Sequence, residues 1–461
     1  MCRITWLAGA RVVRYRRMMT HFRFVAALAA GALVLPFSAG ATAAPPRLSS
    51  AETRMIATID AEQARTLTLL ETMVNQNSGS LNLPGVEKVG AMMRAELEPL
   101  GFKVEWIDMR ASGRAGHIVA RHAGRPGGKR MLLIGHLDTV FEPDSPFQKW
   151  TRRGNDGEGP GAGDDKGGMA VMVAALRAMQ AAGTLKGANI AIVLTGDEED
   201  SGDPIELARR DLIAAGKQAD VALDFEGLVR DGDRDMGSIA RRSSGSWQVT
   251  VSATPGHSSG IFSAGSGHGA IYELARIIDS FRRDLRETNL TFNVGLIGGG
   301  DSAVLDKDRI RLTASGKTNI IAATAVARGD LRALSEVQIA RTQERMRAIV
   351  ATPLTGAKAS ISFDAGGYPP MAPTPGNAAL LARLNAVNAD LGLPAMAALD
   401  PLKRGAADIS FVAKDVDGIN GLGPASRGDH APGETVDIAS IWRQAKRAAI
   451  LMSRLGAEQR R

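Results

Sequence analysis

The sequence predicts an α/β protein with a mostly parallel sheet flanked by helices, interrupted by an inserted α+β unit of ferredoxin-like order. Three observations predict this. Short apolar runs at Met131 to Gly135, Asn189 to Thr195 and Val221 to Phe225 alternate with helical stretches, the pattern of strands buried on both faces. Near Ser246 the style changes to strands that alternate polar and apolar residues. Past Gly367 the first style returns, so the α/β domain is discontinuous in sequence.

Taken in order, the periodicity predicts a helix from Ala51 to Gln76, a second from Gly85 to Leu100, and strands at Phe102 to Asp108 and His117 to Arg121. The strand at Met131 leads to a Gly-rich loop, Gly154 to Gly163, and a helix from Gly167 to Ala182. Strands at Asn189 and Val221 follow. In the insert, strands at Trp247 to Ala253, Thr291 to Leu296, Ile320 to Leu331 and Ala359 to Phe363 enclose helices at Gly269 to Leu285 and Ser335 to Thr352. That β-α-β-β-α-β order is ferredoxin-like. A helix at Asn377 to Leu391, a strand at Val416 to Gly421 and a helix at Ile438 to Leu455 complete the chain. The expected divisions are a leader over 1–43, an α/β domain in two parts over 47–240 and 367–461, and the insert over 241–366.

Composition sets bounds on function. With 461 residues, 44% hydrophobic and 23% charged, the chain is ordinary globular protein rather than disordered. Arginines through Arg23, an apolar run from Phe24 to Phe37 and the small residues Ala41-Thr42-Ala43 predict a secretory signal peptide cleaved after Ala43. The apolar run is shorter than the roughly 20 residues of a spanning helix, so no stable membrane anchor is expected after cleavage. Met18 and Met19 are alternative starts to Met1. The leader holds six arginines and no acid, so the +7 of the whole chain falls to +1 on cleavage, and the high pI gives no argument for nucleic acid. The one cysteine, Cys2, lies in the leader, so any metal must be held by His, Asp and Glu. An exported chain without disulfides suits a periplasmic or secreted location.

The chemistry is concentrated where strands end. Met131 to Gly135 runs into His136-Leu137-Asp138, Asn189 to Thr195 into Asp197-Glu198-Glu199-Asp200, Val221 to Phe225 into Glu226, and Val416 to Gly423 into the loop holding His430. In an open α/β sheet, ligands bind outside the carboxyl ends of the strands, so these ends would converge. Each piece alone is weak: Gly163-Asp164-Asp165-Lys166-Gly167-Gly168 also reads as a helix N-cap, and the acidic turn as a solvated one. Four acids packed after a buried strand would nonetheless repel one another without a cation.

In this order, His136-x-Asp138, Gly163 to Gly168, Asp197-Glu198-Glu199, Glu226 and His430 resemble the dinuclear zinc peptidases that include carboxypeptidase G, aminoacylase and succinyl-diaminopimelate desuccinylase. The resemblance spans roughly Ala51 to Leu455. It implies a zinc-exopeptidase fold whose insert is a dimerisation and lid domain, and a homodimer that cleaves an amide bond of a small peptide or N-acyl amino acid. It implies two zinc ions per subunit, with cobalt or manganese as substitutes. Asp164 would bridge them, His136 and Glu226 would complete one site, and Glu199 and His430 the other. Glu198 would be the general base, and Asp138 would hold the far nitrogen of His136. The family pattern also implies a cis bond between Asp164 and Asp165. His257, in Gly256-His257-Ser258, resembles the imidazole that crosses to the partner's site and stabilises the oxyanion. Asn319 and Arg332 resemble a pair that holds a substrate carboxylate, although an ion pair with Asp330 is an equal reading of Arg332.

The pattern also has departures. Gly367-Tyr368-Pro369 stands where carboxypeptidase G-like chains have Gly-Arg-Pro, and Gly405-Ala406-Ala407-Asp408 where they have a Gly-Gly-Thr-Asp-like loop. Tyr368 therefore becomes a candidate substrate contact suited to a neutral side chain. The alternatives to a carboxypeptidase or dipeptidase are an N-deacylase of an amino-acid derivative and a catalytically inactive binding protein on the same fold. The inactive protein would be expected to lack a ligand or the base.

Overall fold

The computed structural model describes residues 48–460, so the leader lies outside the described residues. The larger sheet has six strands in the order Lys103–Asp108, Gly116–His122, Asn189–Thr195, Arg130–His136, Val221–Asp224, Gly418–Ile419. The last four are parallel to one another, and Gly116–His122 runs antiparallel to both its neighbours. Met131, Leu132, Leu133 and Ile134 in the middle strand are at most 1% exposed. Burial of each such side chain contributes about 1.5–3 kcal/mol, which is why this uninterrupted apolar run occupies the centre.

One face of this sheet is covered by helices Ser50–Ala61, Gln63–Asn75, Lys166–Ala181 and Ile438–Gly456, the other by Ile205–Ala208, Arg210–Gly216 and the turn Asp408–Phe411. Helix Lys166–Ala181 is buried almost throughout. Its start presses on the end of Val221–Asp224: a Cβ at Gly168 would lie 2.0 Å from the Phe225 carbonyl oxygen. Only glycine permits that approach, and it sets Asp164 and Asp165 directly above the strand ends.

A second, antiparallel sheet has Leu296–Gly300, Thr324–Arg332, Gly245–Ala253 and Ala357–Phe363 side by side, with helices Gly269–Asp284 and Glu336–Val350 packed against it. Trp247 is fully buried there and donates its indole N–H to the Asp330 carbonyl at 3.0 Å. The chain passes between the two sheets at 241–244 and 368–371. These segments pair as an antiparallel ribbon through Arg241 with Met371 and Ser244 with Tyr368.

Several elements differ in detail from expectation. The first helix breaks at Glu62, where no glycine or proline marks an end. The strand expected over Thr291 to Leu296 is Thr291–Phe292 followed by Leu296–Gly300. Ile320–Ile321 separates from Thr324–Arg332 and pairs with Gly256–His257 instead. The hairpin of Ser302–Leu305 and Leu312–Ser315 was not expected. The Gly-rich loop contains a strand, Asp156–Glu158, paired with Thr435–Asp437, which ties the segment before Asp164 to the segment after His430. Among the described residues no helix is long and apolar enough to cross a membrane.

Candidate metal centre

Strand Arg130–His136 ends with His136, which is 1% exposed and whose Nε2 faces Asp164 Oδ1 at 3.0 Å. Its Nδ1 faces Asp138, at 3.3 Å from Oδ1 and 3.2 Å from the carbonyl. The loop after Gly418–Ile419 brings His430 to the other side of the same carboxylate, Nε2 to Asp164 Oδ2 at 3.1 Å, with Glu199 Oε2 at 3.2 Å. His430 adopts φ 64°, a left-handed conformation uncommon outside glycine. The Asp164–Asp165 peptide bond is cis.

Two groups of ligand atoms, each within 4.8 Å of one another, are found among the described residues: His136 with Glu198 and Glu199, and Asp164 with Glu199 and His430. Glu226 belongs to neither. Its Oε2 accepts from Arg241 Nη1 at 2.5 Å and Arg404 Nη2 at 2.9 Å, although it lines the same cavity of about 260 Å³ as Asp164, Glu198 and His430. The structure thus brings four of the five expected ligands together and gives the fifth a pair of guanidinium partners.

The electrostatics of the cluster are those of a cation site. Burial pushes the Glu198 carboxyl well above the usual range, and the charge of Glu226 adds to it. Burial also pushes Glu199 up to about 7. Burial alone would raise Asp164, but hydrogen bonds from His136 and His430 outweigh it and hold that carboxyl below the ordinary range. The carboxylates of Asp164 and Glu199 raise His430 to about 11. Without a metal, protons on imidazoles and carboxyls must offset this crowd of acids; a divalent cation does the same more directly. Two imidazoles with carboxylates form a mixed nitrogen–oxygen donor set, which suits transition metals better than magnesium or calcium. The residues present therefore fit transition-metal binding.

Asp138 is fully buried and has more to do than orient His136. Its Oδ1 accepts the backbone N–H of Glu198 at 3.0 Å, and its Oδ2 accepts those of Glu199 at 3.1 Å and the Ser80 hydroxyl at 2.6 Å. The acidic turn does not depend wholly on a metal for neutralisation, contrary to expectation. Asp197 is bound by the fully buried Arg209 at 2.6 Å, and Asp200 pairs with Arg114 at 2.8 Å.

The residues of the insert are placed differently. His257 is exposed, its Nδ1 2.8 Å from Ser259 Oγ, and the exposed Asn319 is beside it, accepting the Ser258 N–H at 3.0 Å. The two are together, but neither joins the metal cluster within this subunit. Arg332 makes the ion pair with Asp330, Nε to Oδ2 at 3.0 Å. A Cβ on Gly405 would stand 3.5 Å from its Nη1, which puts Arg332 beside the loop that carries Arg404. Tyr368 is half-buried behind the acidic turn. Its hydroxyl is committed within the protein, donating to the Glu198 carbonyl at 2.8 Å and accepting from Arg209 Nη2 at 2.7 Å.

Four residues of the site carry no motif in the sequence. Arg241 and Arg404 hold Glu226, and Arg209 holds the acidic turn from behind. The buried Glu434 orders the Gly-rich loop by accepting the N–H groups of Gly161, Gly163 and Asp164 at 2.7–3.1 Å. The pairing of Asp156–Glu158 with Thr435–Asp437 delivers it there, and nothing in its local sequence marked it.

The sequence profile of peptidase family M20/M25/M40 matches residues 132–454. Carboxypeptidase G2 of Pseudomonas sp. (strain RS-16) is 29% identical over 59% of this chain, a match that spans 60% of that enzyme. Succinyl-diaminopimelate desuccinylase of Variovorax paradoxus (strain S110) is 26% identical over 82% of this chain and 95% of its own. In fold, the chain is similar to the YXEP protein of Bacillus subtilis, described as a dinuclear metal-binding peptidase of the M20 family. The TM-score is 0.61 at 16% identity, over 86% of this chain and 99% of that one.

Proposed function

This chain belongs to peptidase family M20/M25/M40, and from that premise we propose that it is an exported, zinc-dependent hydrolase that cleaves an amide bond of a small peptide or N-acyl amino acid, in the manner of a carboxypeptidase or dipeptidase. The observation that carries the reading is the gripping of one carboxylate, Asp164, by two imidazoles on opposite oxygens at 3.0 and 3.1 Å. Asp164 would be shared by the two cations, with His136 and Glu226 completing one site and Glu199 and His430 the other. Glu226 would have to take part through Oε1, because Arg241 and Arg404 both bond Oε2.

When bound, the two cations acidify the attacking water and polarise the scissile carbonyl. Glu198 takes the proton released by that water on a carboxylate oxygen and returns it to the leaving amine, so it ends the cycle as it began. Asp138 fixes the His136 tautomer through Nδ1. Asn319 and Arg332 bind the substrate carboxylate, with Arg332 exchanging Asp330 for it.

The protein acts as a homodimer joined through the insert, which spans 241–366, and lends His257 to the partner's oxyanion. Support comes from the insert's surface, where Phe262, Tyr272 and Ile297 are 54–60% exposed and the rings of Phe262 and Tyr272 are 5.5 Å apart. The leader supports a periplasmic or secreted location. Removal of the succinyl group from an amino-acid derivative is the second reading, favoured by the long match to the desuccinylase.

The test is metal analysis of the purified protein together with amine release from N-acyl amino acids, C-terminal dipeptides and N-succinyl substrates. Glu198→Gln is expected to retain the metal and lose about 10²–10⁴ in turnover. Full activity in that variant removes Glu198 from the reaction.

A further inference from the structure

Taking Glu198 as the base, we infer that Tyr368 is its positioning residue, set in place by Arg209 and carried on the ribbon that leads out of the insert. Among the described residues the Glu198 carboxylate takes no hydrogen bond from the protein, so its location rests on the backbone beneath it. That backbone is gripped from both sides. Asp138 accepts the N–H groups of Glu198 and Glu199 at 3.0 and 3.1 Å, and Tyr368 donates its O–H to the intervening Glu198 carbonyl at 2.8 Å. The peptide joining Glu198 to Glu199 therefore has its N–H held by one side chain and its C=O by another.

Arg209 decides which way the phenol points. Its Nη2 donates to the Tyr368 oxygen at 2.7 Å and to Ser201 Oγ at 3.1 Å, and Ser201 Oγ stands 3.0 Å from the same phenol; the Glu198 carbonyl, at 2.8 Å, is the nearer acceptor for the phenolic proton, and the Ser201 hydroxyl can donate to the phenol in turn. Arg209 is itself immobile: it is fully buried, with Nε on Asp408 at 2.7 Å and Nη1 on Asp197 at 2.6 Å. Those charge-assisted bonds are stronger than neutral ones, and the guanidinium is a rigid plane.

The tyrosine's own backbone belongs to the crossing between the two sheets. Tyr368 N donates to the Ser244 carbonyl at 2.8 Å, and Ser244 N to the Tyr368 carbonyl at 3.0 Å. The residue that holds the base is thus part of the ribbon from which the insert hangs. A displacement of that ribbon is transmitted to Glu198 through one hydrogen bond.

The experiment is steady-state kinetics on zinc-loaded, full-length Tyr368→Phe, which removes only the hydroxyl. We expect kcat to fall about tenfold with KM within about twofold, since a misplacement of 1 Å in a reacting group costs up to about 10². Zinc content and melting behaviour are measured alongside, and zinc content is expected to be unchanged. Arg209→Lys keeps a cation for Asp197 and Asp408 but loses the arm to Tyr368, and the same kcat-selective loss is expected. In a Glu198→Asp background, where the base is already displaced, Tyr368→Phe should add less than about twofold.

Normal kcat in both folded variants overturns the inference, as does a kcat loss that tracks zinc loss, or a full multiplicative loss in the Glu198→Asp background. Glu198→Gln separates the two levels. If it is inactive while Tyr368→Phe is normal, only the positioning role fails; if it is fully active, the reading of the base fails first.

Discussion

Asp138 accepts the backbone N–H of Glu198 at 3.0 Å while the same carboxylate oxygen stands 3.3 Å from Nδ1 of His136. One buried side chain thus fixes the imidazole proposed to bind metal and the turn that carries Glu198, the proposed base. Asp138→Asn keeps the size but offers one acceptor oxygen where two are used. We expect it to lower metal affinity and turnover by about 10–100-fold, the usual effect of losing such a partner. Titration with a zinc chelator and kcat measured at saturating zinc check the two parts separately.

Arg241 and Glu226 are 4% and 6% exposed, and removing Arg241 leaves Glu226 buried with Arg404 as its remaining cationic partner. Arg241→Met is expected to destabilise the metal-free protein by about 1–3 kcal/mol, the cost of losing a charge-assisted bond to a buried group that keeps one partner. Zinc held as proposed would supply positive charge beside Glu226, so the loss should be smaller in the loaded protein. Urea unfolding in chelator and in zinc measures the difference, and an equal loss in both conditions would show that Glu226 does not reach the metal.

The pH dependence of the metal-free protein follows from the raised carboxyls. Burial pushes Glu199 up to about 7 and Glu434 up to about 8, both from an ordinary value of 4.5. A group whose pKa is raised in the folded state contributes stability that is complete below the unfolded pKa and is lost as pH rises through the folded one. The melting temperature in chelator should therefore fall between about pH 5 and 8. His430, raised from 6.5 to about 11, starts to lose its contribution above about pH 6.5 and adds to the fall in the upper part of that window. Zinc requires deprotonated ligands, so its affinity rises over the same window and should flatten or reverse the trend. Thermal melts with and without zinc at several pH values check both signs.

Legibility in the sequence followed range. The strands carrying His136, Glu198, Glu199 and Glu226 announced themselves because a parallel strand covered on both faces is an uninterrupted apolar run, and the acids follow it directly. The partners of those acids did not. Arg209, Arg241, Arg404 and Glu434 reach the site from distant loops, and a lone arginine or glutamate in a loop has no periodicity to betray it. Tyr368 was legible as a departure from a pattern but not in its role, because its hydroxyl meets Glu198 across a large gap in sequence. The break at Glu62 lacked any glycine or proline to mark it, whereas Gly295, between Thr291–Phe292 and Leu296–Gly300, was a mark that the expected single strand passed over.

The expected dimer can be tested by complementation. His257 is exposed, and among the described residues its imidazole bonds only Ser259 of its own loop, as a residue destined for a partner's site would. Mixing His257→Ala with Glu198→Gln should restore part of the activity, because one of the two sites in a mixed dimer then has both an intact His257 and an intact Glu198. Absence of recovery with subunit exchange demonstrated would show that His257 serves its own subunit or none.

Specificity follows from which cations already have partners. A glutamate-specific site needs cationic groups for two substrate carboxylates, because a buried unpaired carboxylate costs several kcal/mol. Arg332 is available for one by releasing Asp330, a partly exposed pair at 3.0 Å that is weak in water. For the second, the arginine of the related Gly-Arg-Pro segment is replaced by Tyr368, whose hydroxyl is tied to Glu198 and Arg209. The cations lining the cavity are engaged as well: Arg404 with Glu226 at 2.9 Å and Lys403 with Asp231 at 2.8 Å. A glutamate side chain entering this cavity would have to take one of them from its partner. We therefore expect that one substrate carboxylate is required, and that kcat/KM for matched N-acyl glutamate, alanine and leucine substrates agrees within about tenfold, or about 1.4 kcal/mol of transition-state discrimination. A preference for glutamate above about a hundredfold, or about 2.7 kcal/mol, would mean that Lys403 or Arg404 turns to the substrate, and Lys403→Met would then abolish the preference if Lys403 is the one.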